Sequence, residues 1–161
     1  YALFGESLGL VKGLMAELDG LASDHGRQLK YNLSFRPIIA ATEDAAWKKA
    51  RRILQSVESA SRPSSKAPEA ETAKRLSRLI DEGEVHDERL WVPIAAAAQG
   101  SGNSTALVGT PEQVAEAIAK YYDLGVAGVL IRGFDPFNDA IEFGKELIPW
   151  IRDKVRQRDQ G

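Results

Sequence analysis

Apolar and polar positions along the chain switch between a period near two and a period near 3.6, and each switch marks a new element. Tyr1 to Phe4 is a short apolar strand, ended by Gly5-Glu6-Ser7. From Leu8 to His25, Leu10, Leu14, Leu18 and Leu21 form one stripe with Val11, Met15 and Ala22 beside it. This spacing predicts a helix, and Gly26 stops it. Lys30 to Ala40 has strand character interrupted at Pro37, where a bulge or strand end is expected. Thr42 caps a helix running to about Val57, with Glu43 and Asp44 in the first turn, where the helix dipole favours acids.

The composition then shifts. Glu58 to Glu69 is polar and proline-containing and reads as a mobile connection. Ala70 to Glu82 is a shorter amphipathic helix ended by Gly83, and residues 84 to 104 read as loop or irregular structure. Thr105 to Val108 is a brief strand. Thr110-Pro111-Glu112-Gln113 carries a capping box with proline at the first helical position, and that helix runs to Leu124-Gly125. Val126 to Arg132 is a continuous strand of the buried type, and a last helix runs from Pro136 to about Arg156.

Strands alternating with helices imply a parallel sheet covered by helices, either doubly wound or part of a (β/α)8 barrel. The second strand favours the barrel, since an open sheet takes a polar row only at an edge. Tyr31, Leu33 and Phe35 alternate with Asn32, Ser34 and Arg36. A polar row inside a buried parallel sheet is costly unless it lines a solvated centre, which the top of a barrel provides.

Charge and composition narrow the function classes. With 21 basic and 23 acidic residues the chain lacks the basic excess of a nucleic-acid binder, and Arg152, Lys154, Arg156 and Arg158 suit the negative end of a helix. No apolar run reaches the ~18 to 20 residues that span a bilayer, so no membrane is expected and a cytoplasmic location is the default. Cysteine is absent, which excludes thiolate metal sites and a cysteine nucleophile. His25 and His86 lack a second histidine at ligand spacing, so no metal is expected. Gly100-Ser101-Gly102 is not a dinucleotide fingerprint, because a strand follows it and Thr105 replaces the third glycine. Gly109-Thr110-Pro111 offers a weak anion site at a helix start. Trp47 and Trp150 are expected in the core, and Trp91 is expected to dock the irregular segment.

Arg36, Arg132 and Asp135 carry the strongest chemistry. A buried arginine needs a carboxylate, phosphate or anionic substrate as partner, and a plain Arg36 ion pair with Asp or Glu is the other reading. Arg132-Gly-Phe-Asp-Pro-Phe leaves the C-terminal end of its strand, where barrels build active sites.

Several segments together resemble the C-terminal half of a luciferase-like flavin-dependent monooxygenase of the alkanesulfonate monooxygenase branch. They are "FGES", "HGRQLKYNLSFRPIIAATEDAAWKKARRIL", "TALVGTPEQVAEAIAKYYDLGVAGVLIRGF" and "DAIEFGKELIPWI". The resemblance implies strands and helices five to eight of a TIM barrel over residues 1–161. Residues 57–104 are then an insertion and mobile lid before strand seven.

The chain opens on Tyr1 directly in a strand, so the N-terminal half of the barrel is expected from another segment. Otherwise sheet edges stay open. The implied cofactor is reduced FMN (FMNH2), supplied by a separate flavin reductase. It would oxygenate a small organic substrate, an organosulfur or sulfonate compound being one candidate, through a C4a-peroxyflavin.

In the implied site Phe4 and Glu6 face the flavin, Ser34, Arg36 and Phe134 stand at catalytic positions, and Gln99, Gly100 and Gly102 belong to the lid. Ser34 and Arg36 stand where the sulfonate enzymes carry arginine and histidine, and Phe134 replaces their tyrosine. Either Arg36 takes over anion binding or the substrate is of a different kind, and both stay open. Expected partners are the small-molecule substrate, the reductase, the other barrel half and further copies in a homo-oligomer. Two alternatives stay open: a deazaflavin-type hydride-transfer enzyme of the same fold, and a non-catalytic barrel-like binding module.

Overall fold

The computed structural model describes residues 1–60, 71–98 and 105–161, with the backbone alone for 71–73. The expected lid residues Gln99, Gly100 and Gly102 lie outside the described residues, as does most of the connection expected between residues 58 and 69. The alternation of elements is as the pattern implies. β1 (Ala2–Phe4) leads into α1 (Leu8–Ser23), β2 (Tyr31–Ile39) and α2 (Glu43–Ala60). Next come α3 (Glu71–Glu82), β3 (Val85–His86), β4 (Leu90–Trp91) and α4 (Pro93–Ala97). β5 (Ala106–Gly109), α5 (Pro111–Asp123), β6 (Val126–Ile131), α6 (Pro136–Glu142) and α7 (Ile148–Asp159) complete the chain.

Two elements differ from expectation. Residues 84 to 104, expected to be irregular, contain the β3–β4 hairpin and α4. β4 adds antiparallel to β5 through Leu90–Leu107 and Trp91–Ala106, so an apolar dipeptide too short to show a period is still fixed by tertiary pairing. The last helix is broken by a π-turn at Phe143–Leu147. Pro149 explains it, since proline has no N–H for the helical ladder and its ring crowds the carbonyl one turn back.

β2 is the central strand, parallel to β1, β5 and β6. Successive residues of a strand offer their hydrogen bonds to opposite edges. The Asn32 N–H donates to the Tyr1 carbonyl, the Gly5 N–H to the Ser34 carbonyl and the Arg36 N–H to the Thr105 carbonyl. The even positions therefore hold β1 along the first part of β2 and β5 along the rest. The odd edge takes β6, whose continuation donates from the Arg132 N–H to the Phe35 carbonyl. A closed barrel would seat β5 between β2 and β6. Here β6 pairs with β2 directly, which satisfies an edge that would otherwise be open. Pro37 falls on the odd edge just past the end of that pairing, where its missing N–H costs no bond.

The two faces of this sheet differ. On one, Val11, Met15, Leu33, Phe35, Leu107, Ile118, Tyr121 and Val126 form a continuous core. On the other, Ile38, Ala106 and Val108 are covered by Ala46 and Ala50 of α2 and Ile94 of α4, but only beside the C-terminal half of β2. Beside its N-terminal half, Phe4 is 44% exposed and Leu130 57% exposed. On α1, Val11 and Met15 are buried, while Leu10 and Leu21 of the expected stripe face outward. Trp91 docks its hairpin edge-on against Trp47, 6.0 Å between ring centroids. Trp150, expected in the core, is exposed beside the Lys154 ammonium. The π-turn before its helix turns Phe143 and Leu147 inward instead.

Candidate functional site

The site lies where the covered and bare halves of that second face meet. Phe4, Ser34 and Leu130 are register partners across β1, β2 and β6, so their side chains share the bare face. Asn32 lies one step before them, and its side-chain Oδ1 lies over Gly128, 2.3 Å from where a Cβ would stand. Arg36 lies one step beyond, just past the ends of β1 and β6 and where β2 begins to pair with β5.

Arg36 is half-buried and reaches across to the segment after β6. Its Nη1 donates to the Gly133 carbonyl at 2.6 Å, and its guanidinium lies 5.0 Å from the centroid of the Phe134 ring. Burial, and then the like charge of Arg132, hold the Arg36 pKa below its ordinary value. Arg36 and Phe134 are thus brought together as a unit, and Ser34 and Phe4 occupy the adjoining row.

The Gly133–Asp135 segment is held by a residue that the sequence reading missed. Asp139 is 9% exposed, and its Oδ2 accepts from the Phe134 N–H at 2.7 Å and the Asp135 N–H at 2.9 Å. A Cβ at position 133 would stand 2.2 Å from the Asp139 Cβ, so Gly133 is what admits this carboxylate. Lys49 of α2 stands 4.0 Å from Asp139 Oδ1 and donates to Glu142 at 2.9 Å and to the Ile39 carbonyl at 3.3 Å. Asp135 caps α6: Oδ1 accepts from the Asn138 N–H and Oδ2 from the Asn138 side-chain amide. Those bonds lower the Asp135 pKa. The only hint of Asp139 in the sequence is its four-residue spacing from Asp135, which any solvated helix face could show.

Glu6 has a different set of partners. Its carboxylate is buried and accepts from Arg75 Nε of α3 at 3.2 Å, while its backbone carbonyl accepts from the Tyr121 hydroxyl at 2.8 Å. Burial raises its pKa and Arg75 works against that rise. The helix start at Thr110 is closed by its own cap, with the Gln113 N–H donating to Thr110 Oγ1 and the Thr110 N–H to Gln113 Oε1. His86 Nε2 lies 2.8 Å from the Leu79 carbonyl and 3.0 Å from that of Gly83, consistent with one N–H shared at the end of α3. Among the described residues no group of three or more metal-ligating side chains forms. No described helix is long and apolar enough to cross a membrane.

A family model described as luciferase-like monooxygenase matches residues 1–128. Among solved structures, the chain is similar to riboflavin lyase RcaE, solved with a modified FMN and riboflavin (TM-score 0.63, 20% identity). The match covers 96% of this chain and 39% of that one. It is also similar to EDTA monooxygenase EmoA from Chelativorans sp. BNC1, with TM-score 0.62, 18% identity, and 96% and 42% of the two chains covered. DmoA from Hyphomicrobium sulfonivorans gives TM-score 0.66 and 16% identity over 96% and 37%. At these identities the likeness is one of fold. The chain spans between 37% and 42% of the length of these three proteins.

Proposed function

The chain belongs to the luciferase-like monooxygenase family, and from that premise we propose that it is the C-terminal half of a flavin-dependent monooxygenase barrel. The observation that carries this reading is the bare sheet face ending in Arg36, Arg132 and Phe134. It combines the exposed Phe4 and Leu130 side chains, two like charges and an aromatic ring just past the C-terminal ends of β1 and β6.

These residues fit a reduced flavin. Phe4 and Leu130 offer apolar surface to a flat ring, and Arg36 with Arg132 supplies the positive charge that an anionic flavin or substrate requires. Bound reduced FMN, delivered by a separate reductase, would supply the oxygen-activating chemistry. The chain's own residues orient and shield. Arg36 holds the anionic group, and its bond to the Gly133 carbonyl fixes the approach of that segment. Phe134 covers the guanidinium and keeps water from one side of it. The Ser34 hydroxyl stands in the adjoining row, within the same face, as a group able to donate or accept a proton. Glu6, committed to Arg75, positions the turn after β1.

Leu10 and Leu21 on α1, Phe4 on β1 and Leu130 on β6 leave apolar surface exposed. The remaining strands and helices of the barrel are the natural cover for it.

Anaerobic titration of reduced FMN into the polypeptide that carries these residues with the rest of the barrel tests the reading. Saturable binding, followed by substrate-dependent oxygen uptake, is expected. Arg36→Gln should weaken the binding by roughly tenfold or more, as loss of a charge-assisted bond in a part-buried site does. Absence of flavin binding, or tight deazaflavin binding without oxygen uptake, would overturn it.

A further inference from the structure

A second concavity shares Phe134 with the candidate site but is not lined by Arg36. A cleft of about 580 Å³ runs between the C-terminal half of α2 and the turn after β6. That volume is within the range of small-molecule sites. Ile53, Val57 and Ala60 form one wall, one helical turn apart or nearly so, and Phe134 closes one end.

The charges around this cleft are committed unequally. Lys49 is held by Glu142, Asp139 and the Ile39 carbonyl. Asp139 gives one oxygen to two backbone N–H groups, and both oxygens of Asp135 are taken by Asn138. Arg52 is different. It is exposed at the rim, and among the described residues its guanidinium meets no carboxylate. What the cleft has to spare is therefore apolar wall and one fork of donors.

We propose that this cleft binds a small organic monoanion, its hydrocarbon part lying along Ile53, Val57 and Phe134 and its charged head on Arg52. Phe134 lines this cleft and also contacts Arg36, which does not line it, so the cleft adjoins the candidate flavin face without being part of it. The proposal needs no flavin, and its test is read without one.

Calorimetric titration of octanoate into this chain, with octanol and octylamine as matched neutral and cationic probes, decides the matter. Octanoate should bind at least about tenfold more tightly than either, and added salt should weaken it, because the charge contact is at the rim. Arg52→Gln should cost about tenfold in octanoate affinity and leave octanol binding and the unfolding temperature unchanged. Arg52→Lys should restore part of the loss. Ser56→Trp, on the exposed face of α2, should fill the cleft and abolish binding while the charge remains. Equal affinity for octanoate and octanol, preference for the amine, no octanoate binding, or an Arg52→Gln variant that binds octanoate normally would each overturn the proposal.

Discussion

The turn after β6 rests on a single carboxylate. Phe134 and Asp135 lie before the helical ladder of α6 begins, so their N–H groups need an outside acceptor, and Asp139 Oδ2 serves both. Asp139→Ala should lower unfolding stability by about 2 to 3 kcal/mol, the cost of two charge-assisted bonds partly offset by water. Urea denaturation measures this, and Asp139→Asn should recover part of the loss because one oxygen remains. The same variant should loosen the Phe134 contact with Arg36. At this scale the sequence shows residues whose type alone is anomalous. Arg36 stands out because a charge in a strand that buries every second residue needs a partner. Asp139 does not, because an acid near a helix start is ordinary there, and only the folded turn reveals the two amides it serves.

Among elements, Glu43 at the start of α2 ties three of them together. Its carboxylate accepts from Arg89 of the β3–β4 turn at 2.5 Å and from the Gln113 side chain of α5 at 2.7 Å, and also from Trp47. These bonds hold its pKa at about 2, below the usual 4.5. A carboxylate with a depressed folded pKa adds stability that is present above its unfolded value and lost as pH falls. The contribution of Glu43 should therefore be complete above about pH 4.5 and vanish toward pH 2. Thermal unfolding across that window should show a steeper decline for the parent chain than for Glu43→Gln. The pattern of the chain puts an acid in the first turn of α2 for the sake of the helix dipole. Only the fold shows that the same acid clamps a hairpin the pattern does not predict. In the same way Ser7 precedes α1, yet the N–H of Leu8 is met by Asp87 Oδ2 from the hairpin at 2.7 Å. A cap supplied from 79 residues away has no local signature.

For the whole molecule, the decisive feature is a sheet covered fully on one face and half covered on the other. Phe4 and Leu130 stay exposed on the bare half, and Leu10 and Leu21 on α1. The chain alone should therefore bind an apolar dye such as anilinonaphthalene sulfonate, and Phe4→Ser with Leu130→Ser should reduce the signal. Addition of the N-terminal barrel half should abolish the signal from the parent chain and protect the β1 and β6 amides in hydrogen exchange. Dye binding that the added half leaves unchanged would count against a completed barrel.

The chain's own pattern determined the alternation of strand and helix, the buried row of β2, the cap of α5 and the charge that Arg36 places within a strand. Each of these follows from neighbours a few residues apart, where backbone geometry sets which side chains share a face. Tertiary structure alone decided that β6 rather than β5 takes the odd edge of β2. It also decided that a two-residue strand adds to β5, that Val11 and Met15 rather than Leu10 and Leu21 turn inward, and that Asp139 holds the turn beside Arg36. Those outcomes depend on which edges and faces remain free once the other elements have packed, and no local period records that competition.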